Sequence, residues 1–386
     1  MPETTNTAPK TGAKRKQSDF RKYANGKVVF AFDFGEYSVK IAVLKIKRNG
    51  AEIRNLFTVE NAEGLPRLDM STLKNWRARI QRALSQRNLG GDDHYAVCTF
   101  GAKTFIHRQL EIPYVEEKDR PGLVESEMSQ LLALETGAYL FQHEVIEELV
   151  VKESSDPETE PEKKTKVWAV AMPRDTCTAA FDLLRSMKFK PLVMDIHANG
   201  IRRFLTADDF YAASTAGQTV ACLDYGMTHT EISFIRDGKL LGNTLLDAGD
   251  GRLVSEAINA MGNRAADTAN PFKLAVSPEE VCAILTKENA TAEERAFSVS
   301  IEDWLSKIST AISRFNFDHP DEPASRILIY GGSPQIIWLV QYIQMLVKLP
   351  ADRITNTTIF ETTGMLTDKK IDYSTYLNAL SLALMD

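Results

Sequence analysis

A chain of 386 residues with 44% hydrophobic and 25% charged side chains has room for two ordinary domains and a sizeable core, which excludes a disulfide mini-protein or a peptide hormone. Its 46 basic and 52 acidic side chains leave a formal charge of -6, the wrong sign for a general nucleic-acid binder, which needs a basic face to neutralise phosphates. No window reaches the roughly 18 apolar residues of a membrane span and the N-terminus has no apolar stretch, so neither a span nor a secretory leader is expected.

Residues 1–26 carry Phe20 and Tyr23 as their only aromatics, too little apolar surface to offset ordering entropy, and are expected to form a disordered basic tail. Its excess of Lys and Arg would let it approach an acidic lipid surface, or simply solubilise the chain. β-Branched and aromatic runs predict strands over Val28–Phe32 and Ser38–Ile46, then a helix over Leu73–Gln86. Strands follow at Tyr95–Phe100 and Thr104–Ile112, and a helix at Val124–Leu134. Strands Val145–Val151 and Val167–Met172 flank residues 152–166, whose Ser, Asp, Pro, Glu and Lys content is that of a flexible loop. Helices Thr176–Met187 and Asn199–Leu205 precede strands Val220–Leu223 and Thr230–Arg236. Helices Arg252–Met261, Val276–Lys287 and Ile301–Asn316, strand Ile327–Tyr330 and helix Gln335–Val347 complete a mixed α/β pattern. Cys98, Cys177, Cys222 and Cys282 match neither zinc nor redox-pair spacing and read as reduced thiols of a cytosolic protein.

Within this pattern one segment occurs twice. Val29-Phe-Ala-Phe-Asp33-Phe-Gly35-Glu36-Tyr37-Ser38-Val-Lys40 leads to an Asn49-Gly50 turn, and Val220-Ala-Cys-Leu-Asp224-Tyr-Gly226-Met227-Thr228-His-Thr230 leads to an Asp237-Gly238 turn. Asp33 and Asp224, like Gly35 and Gly226, are separated by 191 positions. Each copy reads as strand, tight turn, strand, hairpin, strand, so two similar halves are expected to face each other. An Asp ending a buried strand, followed by Gly and hydroxyl residues, can turn backbone N–H groups onto phosphate oxygens. Asp33 and Asp224 would hold a hydrated Mg²⁺, which takes one or two carboxylates and keeps several waters, and Lys40 would supply a point charge. A plain β-turn uses the same residues, but duplication with matched hairpins favours the phosphate reading. A third segment, Arg326-Ile-Leu-Ile-Tyr330-Gly331-Gly332-Ser333-Pro334, is strand, double Gly and helix start, which lets backbone pass beside a flat base or sugar. A simple βα turn is the other reading of that segment.

These three segments, in this order, resemble the phosphate-1, phosphate-2 and adenosine motifs of the actin, Hsp70 and sugar-kinase superfamily. The Ser38-Val-Lys40 ending is most similar to the PilM family of type IV pilus assembly proteins and to its relative FtsA. The resemblance implies an actin-like (ribonuclease H-like) two-domain α/β fold with an extra subdomain, 1C. It implies subdomain 1A over residues 27–91 and 189–215, 1C over 92–188 with the loop 152–166, 2A over 219–262 and 325–386, and 2B over 263–324. It implies ATP and Mg²⁺ in the cleft, contacted by Asp33, Gly35, Glu36, Tyr37, Ser38, Lys40, Asp224, Gly226, Met227, Thr228, Gly331, Gly332 and Ser333, with slow or absent hydrolysis. It further implies a peptide partner, the cytoplasmic N-terminus of a PilN-like bitopic membrane protein, held in a groove involving 1C at the inner face of the membrane. Pilus-assembly ATPases and self-association are further candidate partners.

Hydrolysis in such a cleft needs a residue that orients water toward the γ-phosphate. Asp195-Ile-His197-Ala puts His197 at that place, as water-positioning group, base, or merely a capping or packing residue; Asp195 is the other candidate. Asp250 and Gly251 stand where the family has a Gly pair near the nucleotide, or cap a helix. The leading expectation is a nucleotide-loaded scaffold. An FtsA-like division protein would carry a basic amphipathic C-terminal helix, and a small-molecule kinase of the same superfamily would carry a catalytic Asp in its own insert.

Overall fold

The structure is a computed structural model, and residues 19–60, 69–90, 94–135, 137–151, 162–262, 278–331, 337–362 and 372–385 are described. The chain opens on α1 (Asp19–Ala24), which corrects the expectation of a disordered tail reaching residue 26. Phe20 is 1% exposed and Ala24 is buried one turn later. Arg21 donates to the carbonyls of Met385, Lys47 and Arg48. So short a helix is held by tertiary packing and not by propensity. Residues 1–18 of the expected tail lie outside the described residues.

The first half begins as a meander of β1 (Val28–Phe34), β2 (Ser38–Ile46) and β3 (Ala51–Glu60), followed by α2 (Leu73–Ser85) and β4 (Tyr95–Phe100). Next come β5 (Ile106–Pro113), α3 (Arg120–Leu132), β6 (Tyr139–Val151), β7 (Glu162–Pro173), α4 (Arg174–Ser186), β8 (Lys190–Ile196), α5 (His197–Ala207) and α6 (Asp209–Thr215). The second meander is β9 (Thr219–Tyr225), β10 (Thr230–Arg236) and β11 (Lys239–Leu246), followed by α7 (Asp250–Met261), α8 (Pro278–Leu285) and α9 (Ala292–Asp318). The chain ends through β12 (Ala324–Gly331), α10 (Ile337–Val347), β13 (Ala351–Arg353), β14 (Phe360–Thr362) and α11 (Tyr373–Ser381).

The duplication in the sequence becomes a duplication of topology. A six-stranded sheet runs β14-β3-β2-β1-β4-β8 and a five-stranded sheet runs β11-β10-β9-β12-β13. In each, the first meander strand pairs antiparallel with the second and parallel with a later strand. β1 and β9 are therefore central strands, buried on both faces, which is why they read as unbroken apolar runs. β14 adds a parallel edge to β3, and α11 packs its Leu377 and Leu380 into the core of the first sheet, so the C-terminal segment serves both halves.

A third sheet, β5-β7-β6, carries its own small core under α3, built on Ile112, Val124, Met128, Val167, Ala169 and Ala171. Here the loop expectation is corrected: β7 starts at Glu162 and not at Val167, and residues 152–161 lie outside the described residues. Thr165, Val167, Ala169 and Ala171 are all buried, on one face of the strand. Lysines at 164 and 166 on the other face hid that alternation. The strand at 104–112 is likewise split, into a 3-10 turn at Ala102–Thr104 and β5 from Ile106.

On β5, His107 stacks on Trp168 of β7 with ring centroids 5.2 Å apart. Burial, helped by the Arg108 guanidinium, pushes its imidazolium form down to a pKa of about 4. As pH falls below about 6.5 the unfolded chain takes up the proton first, so His107's contribution is intact above that pH and is lost on the way to pH 4. Denaturant titrations between pH 7 and pH 4 are expected to show a loss of about 3 kcal/mol from this residue, absent in His107→Phe.

Candidate functional site

Asp33 and Asp224 are the penultimate residues of β1 and β9, at the carboxyl ends of central strands, where open α/β sheets bind ligands. The turns after them are built alike. Gly35 N–H donates to the Ser38 carbonyl and Gly226 N–H to the His229 carbonyl, each at 3.0 Å. A Cβ at Gly35 would lie 3.0 Å from Ser38 O, and one at Gly226 would lie 2.9 Å from His229 O, so both turns are closed too tightly for a side chain. The third segment arrives beside the second: Gly331 ends β12 at φ +117°, and a Cβ there would lie 2.5 Å from Tyr225 O and 2.6 Å from Asp224 Oδ1. Gly332 and Ser333 lie outside the described residues.

The two carboxylates meet at His197, the first residue of α5. His197 Nε2 lies 2.9 Å from Asp33 Oδ1, and its Nδ1 lies 3.1 Å from Asp224 Oδ2. Both ring nitrogens are engaged and the ring is buried. Burial alone would lower its pKa, but the Asp33 charge and the bonds to Asp224 and Asp33 push it up to about 10. Lys40 Nζ sits 3.3 Å from Asp33 Oδ2. Against burial, Lys40 and His197 hold the Asp33 carboxyl well below the usual carboxylate range. Asn378 of α11 donates to Asp224 Oδ2 at 2.7 Å.

Register accounts for a member of the cluster that the sequence reading missed. Asp33 stands opposite Lys40 across β1 and β2, and Asp224 stands opposite Glu231 across β9 and β10. Glu231 is thus the counterpart of Lys40, at the same offset from its Asp, and that offset was the available signal. Burial raises its pKa, and it accepts from the Ala102 N–H at 2.9 Å and from Asn243 Nδ2 at 2.8 Å. His197, Asp224 and Glu231 bring one ligand-type atom each within 4.8 Å of one another. Lys103 and His229 also line the cleft, and Asn378 touches it through Asp224, all without a sequence signal.

These residues line a cleft of about 190 Å³ that takes in Asp33, Gly35, Glu36, Tyr37, Ser38, Lys40, His197, Asp224, Gly226, Met227 and Thr228. Gly251 N–H donates to the Met227 carbonyl at 2.8 Å, so the start of α7 is tied to the second turn. Across the opening, Glu36 touches Thr228, His229 and Lys103. Asp195 is not part of this group. Its carboxylate accepts from Asn199 Nδ2 at 2.9 Å and pairs with Arg203, and it lines a second cavity.

That second cavity, about 530 Å³, lies between β6 and β7 on one side and β8 and the start of α5 on the other. β6 and β8 are the end strands of their sheets. Its walls are mostly apolar, among them Leu140, Trp168, Val170, Met172 and Val193. Among the described residues the buried Trp168 indole N–H has no hydrogen-bond partner. Arg202 of α5 pairs with Glu144 of β6 at 2.6 Å beside the cavity.

No protein-family model matches this chain, and no curated protein matches it. Among solved structures it is similar to the PilM-PilN type IV pilus biogenesis complex, with a TM-score of 0.70 and 14% identity over 92% of this chain and 97% of that one. It is also similar to a Bacteroides thetaiotaomicron protein of actin-like ATPase fold and unknown function (TM-score 0.47, 8% identity, 96% and 100% covered). A third similarity is to the cytoplasmic domain of EpsL, an inner-membrane component of the Vibrio cholerae type II secretion system (TM-score 0.41, 9% identity, 92% and 94% covered). At 14% identity the likeness to the first of these is one of fold: the chain has the two-domain actin-like fold that the motifs implied.

Proposed function

We propose that this protein is an actin-like ATP-binding scaffold of a type IV pilus or related secretion assembly platform, which acts at the cytoplasmic face of the inner membrane and holds the N-terminal peptide of a PilN-like membrane protein. The observation that carries the nucleotide part is the pair of matched turns that bring Asp33 and Asp224 to opposite sides of His197. The donor set suits ATP with Mg²⁺. Two carboxylates offer hard oxygens, and two turns without room for a Cβ leave backbone close to a ligand. Bound Mg²⁺ would neutralise phosphate charge. Lys40 would meet phosphate oxygens from the first half, and Thr228 from the second. His197 has both nitrogens engaged by carboxylates, which favours a holding role over proton abstraction and agrees with slow or absent turnover.

The peptide part is supported by the second cavity. An extended segment lying between two sheet edges can pair its main chain with either edge while its side chains enter the apolar cavity. No helix among the described residues is long and apolar enough to cross a membrane; in this reading the partner's own span supplies the contact with the membrane. The test is a pull-down with short N-terminal peptides of bitopic membrane proteins encoded nearby, with and without Mg²⁺ and ATP. Trp168→Ala is expected to weaken peptide retention about tenfold or more and leave ATP affinity unchanged. Failure of every peptide to be retained in any nucleotide state would end the scaffold reading.

A further inference from the structure

We propose that Glu36 is an internal anion that latches the two hairpin turns together in the ligand-free protein, and that an anionic ligand must displace it to occupy the cleft. The inference rests on the nucleotide reading of this site and deepens it.

Glu36 follows Gly35 directly, on the rim of the first turn. Its Oε2 accepts from the Thr228 hydroxyl of the second turn and lies 3.2 Å from His229 Nδ1. Its Oε1 lies 2.8 Å from Lys103 Nζ, on the 3-10 turn after β4. One carboxylate thus gathers a hydroxyl, an imidazole and an ammonium from two other stretches of chain. Those are the donor types that hold phosphate oxygens. A carboxylate engaged by all three takes the part of a phosphate.

The latch is built to release. The Glu36 side chain is 27% exposed and that of Lys103 is 43% exposed, so side-chain rotation into solvent frees the donors with the backbone left in place. An incoming polyphosphate and Glu36 carry the same sign of charge and compete for the same groups, so ligand binding and release of the carboxylate are linked. Glu36, Lys103, Thr228 and His229 all line the cleft, so a ligand there meets the same groups.

The test uses the full chain, wild type beside Glu36→Gln and Glu36→Ala, with two readouts. In the ligand-free protein, amide hydrogen exchange at Gly35, Gly226 and Met227 is expected to quicken about tenfold in both variants. By calorimetry, Mg²⁺-ATP and Mg²⁺-triphosphate are each expected to bind at least about tenfold tighter to the variants than to wild type. Unchanged exchange, with affinity unchanged or weaker, overturns the latch, and the nucleotide reading survives if wild type still binds ATP. Faster exchange with no ATP or triphosphate bound by any variant supports the latch as a closing contact and overturns the nucleotide reading.

Discussion

Asp224→Asn is expected to lose Mg²⁺-dependent ATP binding by at least about 100-fold, roughly 2.7 kcal/mol, while the protein stays folded. The amide keeps an acceptor for Asn378, which donates to Asp224 at 2.7 Å, and it keeps the shape of the side chain. It removes one of the two carboxylates facing each other across His197, and a neutral amide oxygen is a poor partner for hydrated Mg²⁺. Asp33→Ala should lose binding as fully, but it is the less clean variant. Lys40 and His197 both lean on Asp33, and deleting one partner of a buried ion pair costs about 3–5 kcal/mol. Isothermal titration with and without Mg²⁺, alongside a denaturation curve for each variant, separates the two effects. Wild-type affinity in both variants would remove the phosphate-turn reading.

His197→Ala should destabilise the ligand-free chain by about 3 kcal/mol. The buried imidazolium is the cation between Asp33 and Asp224, and without it two carboxylates face each other with Lys40 as the nearest compensation. Millimolar Mg²⁺ is then expected to recover part of the lost stability, because a cation binding only the folded state shifts the equilibrium toward it. The denaturation midpoint with and without Mg²⁺ reads both effects. A midpoint equal to wild type would show that the ring is a packing group and not a charge bridge.

Some of this site is visible in the linear chain because it is made locally. Asp33 to Lys40 and Asp224 to Glu231 are each one strand end, one tight turn and one strand start, and hydrogen bonding within the turn decides their shape. Two such copies announce two matched halves. Glu231 is not legible by residue type, because its counterpart Lys40 is opposite in charge although the offset from the Asp is the same. Asp195 stands two positions before His197 in the sequence. The break from β8 into α5 turns His197 to the carboxylates and leaves Asp195 with Arg203 and Asn199.

Patterns tied to long-range packing were harder to see. α1 exists because Phe20 finds the core of the first sheet and Arg21 finds carbonyls near residues 47 and 385. A window of local composition contains neither. The start of β7 was hidden because its buried face uses Thr165 as well as apolar residues while its other face carries lysines.

Sequence alone determined the mixed α/β class, the repeated Asp-x-Gly hairpins and the expectation that they act as a pair, since turn chemistry and strand burial are short-range properties. Tertiary structure alone decided that His197 joins the two aspartates, that Glu36 reaches the opposite turn, and that the end strands of two separate sheets border a second cavity. Asp33 and His197 are 164 positions apart, Glu36 and Thr228 are 192 apart, and the cavity joins whole sheets; only the closing of the chain on itself brings such groups within bonding distance.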